Sequence, residues 1–194
     1  MATREIITIG HPTLRQKARK VTKFGPELKQ LIDDMIQTMR EAPGVGLAAP
    51  QVNVSEQVIV VELPADEEEG QPAELYAFVN PEIVKVSHEV EEGQEGCLSI
   101  PGYLGDVERH TMVVVRGLDA HGKPQRIRAY DYLARIFQHE IDHLEGVLFI
   151  DRVTEPSKIH KIGDEDAEEG GGDKPNAEHR EARALMSREK LSIG

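Results

Sequence analysis

Residues 138–146, QHEIDHLEG, contain two histidines four positions apart with a glutamate next to the first. On an α-helix, His139 and His143 lie about 40° apart around the axis, so both imidazoles can face one cation. Glu140 lies about 100° from His139, where its carboxylate can reach a water molecule on that cation and carry protons. The spacing indicates a metal-binding helix. The alternative is a polar helix face exposed to solvent, since so short a motif also occurs by chance.

The other side of this helix favours the metal site. The pattern predicts a helix over residues 131–146 with Gly146 as its C-cap. Its apolar side is formed by Leu133, Ile136, Phe137, Ile141 and Leu144. Packing on a core would hold the histidines and the glutamate near that core, where polar groups without partners are costly. A cation would supply the missing partner.

A catalytic metal site normally has three protein ligands and one open position for water. Cys97 is the only cysteine in the chain and follows Gly96. A single cysteine is more often a small buried hydrophobic residue. Beside a two-histidine site it becomes the best third ligand, because a cation lowers the thiol pKa and favours the thiolate. Such a site, with water and Glu140, indicates metal-assisted hydrolysis of an amide or ester.

Two other interpretations stay open from the residues alone. A zincin-like metallopeptidase would use the same helix with a different third ligand, although the acidic, glycine-rich sequence downstream is a poor scaffold for one. In the other, the metal is structural and the chain is a non-catalytic metal-binding module.

Three segments together resemble a known family. GVGLAAPQ (44–51), EGCLSIPG (95–102) and QHEIDHLEG (138–146) resemble, in order and spacing, the three signature motifs of peptide deformylase. The resemblance implies a hydrolase that removes the N-formyl group from the initiator methionine of nascent bacterial or organellar polypeptides and releases formate. The implied metal ligands are Cys97, His139 and His143.

The same resemblance implies roles for other residues. Glu140 would be the general acid/base. The Gln51 amide and the Leu98 backbone N–H would donate hydrogen bonds to the developing oxyanion. The substrate-binding residues would be Gly44, Val45, Gly46 and Leu47, beside an extended peptide, and Ile100, Tyr103 and Ile136, with His139, around the methionine side chain. Asp142 would help to fix the geometry of the metal site. Arg109 could pair with Asp142 or with another buried acid, although an exposed arginine is the default expectation.

The types of ligand and the family resemblance predict different metals. Cysteine and histidine ligands alone favour Zn²⁺. The family resemblance implies Fe²⁺, one ion per chain, and Zn²⁺, Ni²⁺ or Co²⁺ could replace it in an isolated sample because zinc, nickel and cobalt bind such donors more tightly.

Composition limits the partners. The chain has 194 residues and a formal net charge of −12, which argues against direct nucleic-acid binding by the catalytic domain. One cysteine and the lack of a long apolar run predict a cytoplasmic protein that does not enter membranes. The predicted partners are N-formylmethionyl nascent peptides and, transiently, the ribosome.

The hydrophobic pattern predicts an α+β domain. With the family resemblance, the expected architecture has mixed or antiparallel sheets packed around a central helix that bears the H-E-x-x-H motif. An N-terminal amphipathic helix is predicted over 26–41, and residues 44–52 are expected to form a close-packed loop. Predicted strands cover 57–63, 74–84, 85–90, 111–119 and 125–131. Residues 1–155 would form the catalytic domain, with an acidic surface loop at 64–73.

The remaining residues, 156–194, are acidic and glycine-rich. Their composition predicts a flexible tail. A short C-terminal helix in this tail is our candidate for the contact with the ribosome.

Overall fold

The computed structural model describes residues 2–65 and 72–162. The helices in this part of the chain are α1 (Pro26–Glu41) and α2 (Asp131–Leu144). The strands are β1 (Gly46–Ala48), β2 (Val58–Leu63), β3 (Glu74–Val86), β4 (Val90–Cys97), β5 (Ile100–His110), β6 (Met112–Leu118), β7 (Pro124–Tyr130) and β8 (Ile159–Lys161). Short 3₁₀ helices cover Pro12–Arg15, Ala49–Val52, Phe149–Asp151 and Pro156–Lys158.

The strands form two antiparallel sheets. The larger has the order β1-β2-β3-β6-β7, and the smaller has the order β4-β5-β8. Helix α2 contacts strands of both sheets. The predicted α+β class is confirmed, and all strand pairs among the described elements are antiparallel rather than mixed.

Strand β2 is buried on both faces, which explains its unbroken apolar sequence. Val58 and Val60 belong to a core formed with the apolar side of α1. Ile59 and Val61 face the other way, into a core formed with the apolar side of α2. The larger sheet therefore separates the two helices, and each helix stabilises one of its faces.

A third core holds the smaller sheet near the end of α2. Its buried members are Leu14, Ile100, Val107, Leu148, Phe149, Ile150, Val153 and Ile159. Because β5 contributes to this core and pairs with β4 over its length, the packing brings the end of β4 towards α2.

Two predictions of local structure need correction, and one pair of strands was missed. Residues 85–90 are not a strand: β3 runs to Val86, a turn follows, and β4 begins at Val90. The long β4–β5 hairpin was not predicted. Residues 44–52 are not only a loop, because they include β1 and a 3₁₀ helix.

The ends of the predicted elements also differ in places. Helix α2 stops at Leu144 with Glu145 as its C-cap, and Gly146 follows with a φ of 74°. Strand β8 lies after the predicted domain boundary at residue 155 and pairs with β5. Part of the acidic loop (66–71) and the tail from residue 163 onward, including the predicted C-terminal helix, lie outside the described residues.

Candidate metal centre and active site

Cys97 is half-buried at the end of β4, where it lies close to the two buried histidines of α2. The ligand atoms of Cys97, His139 and His143 all lie within 4.8 Å of one another. The Cys97 Sγ atom is 3.3 Å from Nε2 of His143. The structure therefore brings together the three side chains that the sequence predicted as metal ligands.

The surroundings of this group fit a divalent cation. Nδ1 of His139 lies 2.9 Å from a carboxylate oxygen of Glu95, which leaves Nε2 of the same ring available as a ligand. Burial lowers the pKa of His143, so its imidazole is neutral and can donate a lone pair. Glu140 Oε2 is buried without a hydrogen-bond partner among the described residues, and a water molecule on a cation would provide one.

Glu95 is a residue of the site that our sequence analysis missed. Its buried carboxylate accepts hydrogen bonds from Arg109 at 2.8 and 2.9 Å and contacts His139. Burial raises the pKa of Glu95, but these partners outweigh burial and lower the pKa to about 2. Glu95 and Cys97 are two apart and lie on the same face of β4, but this strand was not predicted, so their spacing was not a usable signal.

Arg109 is buried, which corrects the default expectation of an exposed arginine. Only 5% of its side chain is exposed, and Nη1 donates to Asp142 at 2.6 Å. Asp142 also accepts from Arg152. The predicted pairing of Arg109 with Asp142 is therefore present, and the buried arginine ties Glu95 on β4 to Asp142 on α2.

Glu140 lies against β1. Burial raises the pKa of its carboxyl group to about 7. A Cβ atom added at Gly46 would lie 2.3 Å from Glu140 Oε1, so this position leaves no room for a larger residue. The glycine lets the strand approach the carboxylate closely.

Gln51 is buried with its side-chain amide directed towards the centre. Its Oε1 accepts from the backbone N–H of Ala48 at 2.8 Å. Its Nε2 donates to Ser99 Oγ at 3.2 Å and lies 3.5 Å from Cys97 Sγ. Leu98 directly follows the cysteine, in the two-residue turn between β4 and β5. Both predicted oxyanion donors therefore belong to residues that border the metal site.

A cavity of about 430 Å³ opens beside the centre. Seven of the eight residues predicted to bind substrate line it: Gly44, Val45, Gly46, Ile100, Tyr103, Ile136 and His139. Leu47 does not, because its fully buried side chain belongs to the core under α1. Tyr132, Arg135 and Ile162 also line the cavity and were not predicted to do so.

The fold and this site define an α+β hydrolase with an H-E-x-x-H helix and a candidate metal centre. The family model described as polypeptide deformylase matches residues 3–158. The chain belongs to the peptide deformylase family.

Individual relatives agree with the family match. The peptide deformylase of Thermomicrobium roseum is 48% identical over 87% of this chain and 96% of its own length. A peptide deformylase structure from Synechococcus elongatus in complex with actinonin has a TM-score of 0.74 and 43% identity, covering 81% of this chain and 82% of the other. A Met-Ala-Ser-bound peptide deformylase structure from Acinetobacter baumannii has a TM-score of 0.73 and 39% identity. It covers 78% of this chain and 99% of the other.

Family membership makes this protein a metal-dependent hydrolase of protein biosynthesis that removes the N-formyl group from newly synthesised polypeptides. No helix within residues 2–65 and 72–162 is long and apolar enough to cross a membrane.

Proposed function

We propose that deformylation takes place at a cation held by Cys97, His139 and His143, with Glu140 as the general acid/base. The observation that carries this proposal is the convergence of one sulfur and two imidazole ligand atoms within 4.8 Å, beside a buried glutamate whose Oε2 has no hydrogen-bond partner among the described residues. A polar cluster of this kind would be costly to bury for stability alone.

The proposed ion is Fe²⁺, with Zn²⁺, Ni²⁺ or Co²⁺ as substitutes. A bound divalent ion would polarise the formyl carbonyl and lower the pKa of water. The donor set of one thiolate and two imidazoles supports zinc and iron alike. The preference for iron rests on the family resemblance, and metal analysis of anaerobically purified protein tests it.

The protein groups around the carbonyl supply the proton transfers and the hydrogen bonds. Glu140, with a pKa near 7, can accept a proton at neutral pH and return it to the departing amine. The Gln51 Nε2 amide and the Leu98 N–H would donate to the oxygen that becomes negative. One such donor contributes about 3–4 kcal/mol to transition-state stabilisation.

The substrate would be the N-formylmethionyl end of a nascent chain. Strand β1 lies at one edge of the larger sheet, so an extended peptide can add there as a further strand. The lining by Leu98, Ile100 and Ile136 suits an apolar methionine side chain. The Acinetobacter baumannii relative binds Met-Ala-Ser, a peptide that begins with methionine.

The decisive measurement is formate release from a formyl-Met peptide by protein reconstituted anaerobically with ferrous iron. We expect turnover by the wild type and loss of both metal and turnover in Cys97→Ala. A zincin-like peptidase would keep its metal after this substitution. A wild type that binds metal without releasing formate would support a structural metal site instead.

The proposed location is the cytoplasm, and the proposed contact with the ribosome involves residues 163–194, which lie outside the described residues. Because β8 belongs to the smaller sheet, truncation should follow Ile162 rather than Glu155. We expect the truncated protein to keep its deformylase activity on a formyl-Met peptide and to lose cosedimentation with ribosomes. Unchanged cosedimentation would contradict the ribosome proposal.

A further inference from the structure

Arg135 lies one helical turn before His139 on α2, and its guanidinium reaches the β4–β5 hairpin. Nη1 donates to the carbonyl oxygens of Val107 at 2.7 Å and Gly93 at 3.1 Å. Nη2 donates to the carbonyl oxygen of Glu91 at 2.8 Å. With 12% of its side chain exposed, Arg135 joins α2 to both strands of the hairpin through three backbone acceptors.

The hairpin has a space shaped for this guanidinium. A Cβ atom added at Gly93 would lie 2.7 Å from Nη2 and 2.9 Å from Cζ of Arg135. The guanidinium also lies 3.1 Å from Glu95 Oε1, and the other oxygen of that carboxylate contacts His139 Nδ1. Arg135 thus contacts alternate residues of β4, the strand that ends at Cys97.

The three ligands come from two separate elements, because the thiol lies on the hairpin and both imidazoles lie on α2. We propose that Arg135 is a positioning residue, which holds β4 against α2 at the separation that lets the Cys97 thiolate and the two imidazoles bind one cation. This inference rests on the proposed metal site. A planar guanidinium can hold several acceptors in fixed directions, whereas a lysine ammonium acts as a single point charge.

A purely structural role would have a different signature. If Arg135 only stabilised the fold, its loss would lower the melting temperature and leave the bound metal unchanged in the folded protein. If it sets the ligand geometry, its loss would weaken metal binding and alter the thiolate–metal bond. Cobalt reports both properties, since its affinity can be measured by chelator competition and its bond to thiolate by charge-transfer absorption.

The test uses the full-length chain loaded with Co²⁺, as wild type, Arg135→Met, Arg135→Lys and Arg126→Met. The last is the matched control, because Arg126 is an exposed arginine on β7 that does not line the active-site cavity. We expect Arg135→Met to weaken cobalt binding by about 10- to 100-fold, as loss of groups that orient ligands typically does, and to reduce the thiolate band. Arg135→Lys should fall between this variant and the wild type.

Gly93→Ala tests the same contact from the hairpin side. The added methyl group should displace the guanidinium and weaken cobalt binding, but it should have little further effect in the Arg135→Met background, where the clash is absent. If Arg135→Met does not fold, Arg135→Lys and Gly93→Ala carry the test. Wild-type cobalt affinity and absorption in the folded Arg135 variants would overturn the positioning role.

The wild type and Cys97→Ala separate this inference from the proposed function. A wild-type protein with no thiolate band would contradict the proposed ligand set itself. A band that is present in the wild type, absent in Cys97→Ala and unaltered in Arg135→Met would keep the metal site and reject the role of Arg135.

Discussion

Helices α1 and α2 both bury one side, but they differ in whether their buried polar groups have hydrogen-bond partners. The buried polar residues of α1 are satisfied: Asp34 accepts from the backbone N–H of Ala2, and the Thr38 hydroxyl donates to the carbonyl of Asp34. On α2, Glu140 Oε2 and His143 Nδ1 are buried without partners among the described residues. An unsatisfied buried group costs stability, so the free carboxylate oxygen of Glu140, which faces the metal site, indicates that a partner is missing there.

The comparison of the two helices predicts that the largest effect on activity comes from substituting Glu140, whose buried carboxylate lacks a full set of partners among the described residues. Glu140→Gln keeps the size of the side chain but removes its capacity to accept a proton. We expect kcat to fall by about 10²- to 10⁴-fold. Metal content should stay at the wild-type level, since the carboxylate is not a proposed ligand. Formate release and metal analysis on the same sample check both outcomes, and retained turnover would remove Glu140 from the mechanism.

The corresponding experiment on α1 should change stability and leave catalysis intact. Met35 is fully buried in the core under α1. Met35→Ala should lower the free energy of unfolding by about 2–5 kcal/mol through lost burial and the cavity left behind. Urea denaturation measures this change, and Lys29→Ala on the exposed side of α1 is the control. A drop in kcat of the folded protein would contradict the division of roles between the helices.

Gly46→Ala tests how closely β1 must approach α2. The added Cβ would lie 2.3 Å from Glu140 Oε1, so the carboxylate has to move. A displacement of about 1 Å at a catalytic group can cost about 10²-fold in rate, and we expect a fall in kcat of that order. Gly25→Ala is the control, because Gly25 precedes α1 with extended backbone and open space around it. Equal kcat values for the two variants would show that the close approach is not needed.

Sequence patterns predicted the fold best where burial is continuous or follows a helical period. The apolar run at 57–63 identified β2, and the helical stripe of 26–41 identified α1. The β4–β5 hairpin escaped prediction because β4 exposes charged residues such as Glu91 and Glu92 and contains glycines, so it lacks apolar alternation. Its strands are held by pairing with each other, and a local pattern does not contain that information.

The ligand types could be predicted because their spacing has chemical meaning. His139 and His143 are four apart on a helix, and Cys97 was inferred as their partner because it is the only thiol in the chain, before the family resemblance implied the same ligand. The residues that orient them were harder to predict. Arg109 and Arg135 look like surface arginines in the sequence, and their roles depend on which carbonyls and carboxylates the hairpin presents to α2 once it has folded.

The smallest expected effect comes from Asp34, the buried carboxylate of α1 that has hydrogen-bond partners. A hydrogen bond from the Ala2 backbone, with further ones from Gln30 and Arg4, outweighs burial and holds the pKa of Asp34 below its ordinary value of 3.8. A lowered folded-state pKa means that ionised Asp34 stabilises the protein above the unfolded value, and that this contribution disappears as the pH falls through the folded value.

Asp34→Asn should therefore lower the melting temperature at pH 7 by less than Met35→Ala does, and it should leave kcat unchanged. The difference in melting temperature between Asp34→Asn and the wild type should narrow as the pH falls from 3.8 towards the lower folded-state pKa, because the unfolded wild-type carboxylate then binds a proton before the folded one does. Thermal unfolding of both proteins from pH 7 to pH 3 measures this difference. A constant difference would mean that the N-terminal segment is held by hydrogen bonds that do not depend on the charge of Asp34.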